Sequence, residues 1–244
     1  PLVRASLFKI NTDEHLLLFT VHHTLFDGYS FTPFLKEIKL HYNSLINNQE
    51  ELESPITQYY DYILVEHENL KNTKQHREYW EDNLKNAYPY INIETDFPRP
   101  EVRTFNGDTI SKEIPIDTFT KFKKILNNEN ISVFSGLFTV INLTIKKYSN
   151  QNDLVIGVTS QNRDFTLFEN VIGEFTNFLP IRNIYKNMLF INFAKEVQDN
   201  IFNALNHIHL PFDEIVKLAP ATPDNINPVY NIFVNPLPKM ETIM

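Results

Sequence analysis

The chain has 244 residues, of which 42% are hydrophobic and 20 are Phe, so it can bury a sizeable core and reads as globular, not disordered. Its formal net charge of −8 argues against a nucleic-acid partner, because phosphates call for clustered Lys and Arg. The absence of cysteine excludes disulfides, a Cys nucleophile and Cys-ligated zinc and is compatible with a cytoplasmic location; no apolar run approaches the ~20 residues of a membrane span, so neither a membrane partner nor a secretory leader is expected.

Pro1 opens the chain directly on strand-like apolar text, which reads as a fragment of a longer polypeptide. Residues 2–10 and 16–23 are predicted strands separated by the turn-like "NTDE". "HLLLFTV" is nearly continuous apolar, which predicts a strand covered on both faces. A helix is expected after Gly28, with Thr32 as cap, Pro33 at its first position and Phe34, Ile38, Tyr42 and Leu45 on its apolar face. A second helical region runs from about Ile56 to Leu84 and carries the single tryptophan, Trp80. The Pro-rich text "YPYINIETDFPRPEVRTFNGD" marks a boundary, giving lobes 1–95 and 96–244. Beyond it the pattern predicts a strand in "TISKEIPI", helices in "IDTFTKFKKILNNE" and "SVFSGLFTVINLTIKKYS", a strand in "DLVIGVTS", and a loop and strand in "FTNFLPIRNIY". A helix with Phe193, Val197, Ile201 and Leu205 at four-residue spacing follows, and then a late strand in "NPVYNIFVN". Interleaved strands and helices point to an α/β or α+β sandwich.

The stretch "FTVHHTLFDGYSF" ends an apolar run with two histidines and follows them with an Asp-Gly pair. Strand side chains alternate faces, so His22 and His23 should point in opposite directions, one to a cleft and the other inward. Histidine is the natural general base near neutral pH, with an ordinary pKa of about 6.5. Asp27 lies beyond the strand end and can fix local structure, and Gly28 allows a sharp turn and close approach to a substrate. A structural role for these histidines is the bland alternative. No His, Asp or Glu at ligand spacing completes a metal site, and no G-x-S-x-G elbow supports a serine hydrolase.

"HHTLFDGYS" resembles the H-H-x-x-x-D-G-x-S signature of condensation domains in nonribosomal peptide synthetases, members of a superfamily similar to chloramphenicol acetyltransferase. Other segments resemble that family in its order. "VIGVTSQNRD" is similar to the strand and loop that carry a structural arginine, here Arg163, and "VIGEFTNFLPIR" to its I-G-x-F-V-N-T segment, through Gly173, Phe175 and Asn177. "HIHLPFDEIV" is similar to a Q-x-x-P-F-E segment through Pro211, Phe212 and Asp213, and "DNINPVYNIFVN" to R-x-x-S-R-N-P-L through Asn227 and Pro228. Thr176, Phe178 and Asp224 depart from the usual Val, Thr and Arg.

The resemblance implies a two-lobed, chloramphenicol acetyltransferase-like α/β sandwich with part of the N-terminal lobe missing. It implies amide formation between a donor acyl or peptidyl thioester and the amine of an acceptor aminoacyl thioester. The domain itself would bind no cofactor or metal; the substrates would arrive on the 4'-phosphopantetheine arms of upstream and downstream peptidyl carrier proteins, beside an adenylation domain. His23 would face the amine as base or positioner, with His22, Asp27 and Gly28 in the same catalytic motif and Ser30, Arg163 and Asn177 supporting it. An α-amine has a pKa of about 8, so both roles for His23 stay open. Asp27, just past a buried strand, should pair with Arg163 reaching in from the second lobe, whose fork can hold a carboxylate in two bonds. The rival readings are a stand-alone acyl-CoA-dependent acyltransferase, an epimerisation domain (whose motif continues Ser-Trp where this chain has Ser30-Phe31) and a non-catalytic docking domain of a synthetase.

Overall fold

A computed structural model describes residues 1–48, 56–88, 90–102, 104, 106–163, 166–222 and 225–237. Two compact units emerge, one formed by Pro1–Asn72 with Gln161–Thr176, the other by Thr73–Ser160 with the described residues from Asn177 onward.

In the first unit, β1 (Val3–Lys9) and β2 (His15–Val21) form an antiparallel hairpin in register from Val3 opposite Val21 to Lys9 opposite His15. β2 is not covered on both faces as its apolar text predicts: Leu16, Leu17 and Leu18 are exposed, and only Phe19 and Val21 are half-buried. A continuous apolar run signals a strand suited to burial but does not supply a covering layer, and among the described residues β2 pairs only with β1. Helix α1 (Phe31–Ile46) follows. It begins at Phe31, with Ser30 in the capping position that the sequence assigns to Thr32. Phe34 packs its ring against Phe19 and, edge-on, against Phe26, while Tyr42 and Leu45 of the predicted apolar face are exposed. Helix α2 (Tyr59–Asn69) carries Tyr62 into a small buried cluster with Phe168, Val171 and Phe175.

In the second unit, α3 (Lys74–Leu84) is separate from α2, with a short 3-10 turn at Leu70–Asn72 between them. Helices α4 (Ile116–Asn128) and α5 (Val133–Ser149) and strand β3 (Asp153–Ser160) fall where the pattern places them. Ser132 caps α5 by accepting from the Ser135 N–H at 3.0 Å. Strand β4 (Asn177–Ile184) pairs antiparallel with β3, and α6 (Phe190–Asn206) packs against β4 and α5. The one-turn helix α7 (Phe212–Val216) precedes β5 (Phe233–Val234), which runs parallel to β3, so the sheet order is β4-β3-β5. Trp80, Phe138, Ile156, Leu179, Ile181, Val197 and Ile215 lie together in the main core.

Several expectations are corrected here. "TISKEIPI" forms no strand: Ile110 and Ile114 are exposed, and helix α4 begins at Ile116. Its period-2 pattern contains Pro115, which has no N–H for a ladder. The late strand shrinks to two residues. Val229 takes a left-handed φ of 71°, and the Asn231 amide instead clamps the backbone of Ile91 with two bonds of 2.9 Å. On α6 the buried face runs Phe193, Val197, Ile201 and Ala204, with Leu205 exposed, because strict four-residue steps drift off a 3.6-residue turn. The division expected at residue 95 falls instead at residues 72–73. Helix α3 belongs with the sheet of its own unit. Trp80 is fully buried and donates to the His207 carbonyl at 3.0 Å, and Arg182 on β4, paired with Asp153, caps the α3 end through the Asn83 and Lys85 carbonyls.

Helix α3 also sets His76 against His207 at the end of α6, with their Nδ1 atoms 3.0 Å apart. Tyr79 stacks flat on the His207 ring, and the His209 ring lies 5.6 Å from that of His76. Burial pushes both His76 and His207 below the usual imidazole range; at His76 the neighbouring His207 and His209 add to the effect. The unfolded chain therefore binds protons below pH ~6.5 that the folded chain refuses. Stability from this pair is fully present above that pH and declines as pH falls toward the lowered folded values. Chemical denaturation at pH 7.5 and 5.5 should show a smaller loss on acidification for His76→Gln than for the wild type.

Candidate active site

The strand β2 stops at Val21, so the alternation argument does not reach the histidines. A short 3-10 turn, His23–Leu25, takes over, and His22 caps it: its ring Nδ1 accepts from the Thr24 N–H at 3.2 Å. Both histidines are exposed; His22 is not packed inward. The turn delivers Phe26 and Asp27 into the interior, where Asp27 is 2% exposed.

A buried carboxylate must have its oxygens met. Asp27 Oδ1 accepts from the Ser30 N–H at 2.8 Å, from Ser30 Oγ at 2.7 Å and from Arg163 Nη2 at 2.9 Å. Oδ2 accepts from the same Arg163 Nη2 at 3.0 Å and from the Phe175 N–H at 3.2 Å. Arg163 thus reaches Asp27 as the chemistry demands, but through one nitrogen and not a two-nitrogen fork. Its Nη1 is occupied by the carbonyls of Phe168 and Val171, and its plane lies 3.8 Å from the Phe175 ring centre. Arg163 belongs to the first unit, not to a second lobe, because the segment 161–176 folds with residues 1–72. The wholly buried Ser30 completes the junction: its Oγ also accepts from the Gly173 N–H at 3.1 Å, and the Asp27 N–H donates to the Gly173 carbonyl at 3.1 Å.

The residue between Gly173 and Phe175 is Glu174, which spacing and motif gave no reason to select. Its Oε2 accepts from His23 Nδ1, and its Oε1 accepts from the Thr176 N–H at 2.9 Å. Tyr59 from α2 donates its hydroxyl to the Glu174 carbonyl. Burial, aided by the carboxylates of Glu66, Glu174 and Asp27, pushes the Tyr59 phenol above its usual range, so it stays a neutral O–H donor. Sequence reasoning missed Glu174 because it fills the blank position of the I-G-x-F pattern and lies 151 residues from His23. The sole available signal was chemical: a carboxylate in a segment already tied to the motif.

The structure also places two further selected residues. Gly28 has no positive φ, and a Cβ built there meets nothing within 4 Å, so the turn does not require glycine. Asn177 begins β4 in the second unit and donates to the Ile208 and Leu210 carbonyls at 2.7 and 3.3 Å, holding the segment before Pro211. Asp224, one of the departures, lies outside the described residues.

The family model for the Condensation domain matches residues 1–236. This chain belongs to the condensation-domain family. It is 32% identical over 219 residues to bacitracin synthase 2 of Bacillus licheniformis, a match spanning 88% of this chain and 8% of that one. This condensation-family fold is shared with the X-domain from teicoplanin biosynthesis (TM-score 0.84, 21% identity, 95% of this chain and 54% of that one). It is shared as well with the epimerization domain from the third module of tyrocidine synthetase B (TM-score 0.72, 21% identity, 92% and 53%). The chain therefore has the chloramphenicol acetyltransferase-like α/β fold and spans about half the length of these solved domains. Among the described residues no helix is long and apolar enough to cross a membrane.

Because the Asp27 and Arg163 side chains are 2% and 4% exposed, removing either leaves a buried charge unpaired. Asp27→Ala and Arg163→Ala should each cost about 3–5 kcal/mol in denaturant titrations, and the double variant should lose less than their sum. The two glycines should separate in the same assay. Gly28→Ala should leave the midpoint unchanged, whereas Gly173→Ala should lower it, since a Cβ there falls 2.1 Å from the Tyr59 ring.

Proposed function

We propose that this condensation-family chain supplies the catalytic motif for amide-bond formation in nonribosomal peptide synthesis. The donor is an acyl or peptidyl thioester on one carrier protein, and the acceptor is the amine of an aminoacyl thioester on another, both tethered through 4'-phosphopantetheine. An adenylation domain on the same assembly line supplies the activated amino acid. The observation that carries this reading is the state of His23: an exposed imidazole whose Nδ1 is engaged by Glu174 on a loop anchored by the buried Asp27–Arg163 pair. Among the described residues Nε2 of that ring has no hydrogen-bond partner, so it is free to face a substrate.

In the proposed step the amine nitrogen attacks the thioester carbonyl carbon. The C–N bond forms as the C–S bond breaks, the surplus amine proton passes through His23 Nε2, and the departing thiolate receives it. The products are an amide on the acceptor carrier and a free thiol on the donor carrier. Tethering two reactants side by side supplies part of the acceleration, and proton transfer by a placed imidazole typically contributes about 10²–10⁴-fold. The continuation of the motif as Ser30-Phe31, where epimerisation domains carry Ser-Trp, favours condensation over that alternative.

The test uses the full synthetase carrying this chain, with loaded donor and acceptor carriers. The wild type should yield a new amide on the acceptor carrier by mass spectrometry, and a folded His23→Ala variant should lose its formation about 100-fold or more. Exchange of the donor α-hydrogen with solvent deuterium without amide formation would instead establish epimerisation and overturn the reading.

A further inference from the structure

We propose that Glu174 is the positioning residue that fixes the tautomer and aim of His23, so that Nδ1 carries the ring's hydrogen and Nε2 presents its lone pair to the reacting amine. The inference rests on the condensation reading above and adds a residue to it.

The geometry determines which nitrogen holds the hydrogen. An ionised carboxylate only accepts hydrogen bonds, so the His23 Nδ1 facing Glu174 Oε2 must be the donor. In the neutral imidazole this leaves Nε2 as the acceptor, the state a proton-receiving group needs. Glu174 in turn has no freedom to wander. Its other oxygen is held by the Thr176 N–H at 2.9 Å, and its carbonyl by the Tyr59 hydroxyl. Its two chain neighbours are bonded to the motif itself, Gly173 through Ser30 Oγ at 3.1 Å and Phe175 through Asp27 Oδ2 at 3.2 Å. The motif that carries His23 thus also clamps the backbone on both sides of the carboxylate that aims it.

Stability does not explain the contact. The His23 side chain is 77% exposed, and ion pairs in such settings contribute little to folding. What the pair does set is orientation, which an exposed ring at the start of a short turn would otherwise lack.

Glu174→Gln tests this with little change of shape. The Thr176 N–H requires an oxygen at the Oε1 position, so the glutamine would turn its NH₂ group to His23 Nδ1. That nitrogen would have to accept, Nε2 would carry the hydrogen, and the lone pair would point away from the amine. Inversion of this kind is what an amide does in place of the carboxylate of a Ser-His-Asp triad. In the full synthetase with loaded carriers, single-turnover amide formation by Glu174→Gln should fall about 100-fold or more, the apparent affinity for the acceptor carrier remaining within about twofold. Glu174→Asp, which keeps a carboxylate, should recover most of the rate. In a His23→Ala background Glu174→Gln should have no further effect. Independently of turnover, ¹⁵N NMR of histidine-labelled protein should show His23 as the Nδ1–H tautomer in the wild type and as Nε2–H in Glu174→Gln. An unchanged tautomer, or a full rate in Glu174→Gln, overturns the inference while leaving condensation intact. A wild type that makes no amide overturns the functional reading, and the tautomer measurement still decides the role of Glu174.

Discussion

A single negative charge held away from water governs the local architecture of the first unit. The Asp27 carboxylate cannot be buried without donors, and its own turn supplies only those of Ser30. The rest come from a segment far along the chain: the guanidinium of Arg163 and the N–H of Phe175. Satisfying one carboxylate therefore joins two stretches of sequence into one rigid junction, and the exposed groups on each side inherit a fixed separation. The cost of desolvating the charge is what makes the junction specific, since a looser arrangement would strand it.

This junction also explains how an exposed histidine can be precisely placed. His23 is not held by packing. It is hydrogen-bonded directly to Glu174, and the backbone on either side of Glu174 is tied to Asp27 and Ser30. Rigidity is thus borrowed from the interior and delivered at the surface, which leaves one ring nitrogen open while the other is committed. A buried histidine would gain the same order only by losing access to substrate.

Much of this was legible in the sequence, for identifiable reasons. The amphipathic spacing of Phe193, Val197 and Ile201 marked α6, because helical burial depends only on neighbours within a few turns. The need of Asp27 for a cation could be argued from charge and position, and Arg163 was the partner that the family resemblance offered. What escaped were features decided by distant chain. The apolar text of β2 says that the strand suits a covered site and not what covers it. The alternation of "TISKEIPI" has no meaning without a partner strand. The end of β2 at Val21, one residue short of the histidines, replaced strand alternation by a tight turn in which His22 became a cap. Glu174 was invisible because a variable position in one motif gains its role only when the fold brings another motif to it.

The strand pairing of β3 and β4 bears on how the molecule acquires its site. Ser160 and Asn177 are opposite each other in register, so residues 161–176 leave and rejoin the chain at a closed pair of strands. Arg163 sits near one end of that excursion and Gly173–Phe175 near the other. Once β3 and β4 zip together, the entropy of bringing these two groups near each other has already been lost, and Asp27 meets a preassembled set of donors instead of two wandering ones. Contacts spanning 136 residues are ordinarily slow to form. Here part of that closure cost is met by the β3–β4 pairing, which brings together the ends of the intervening segment 161–176 before the contact to Asp27 is counted.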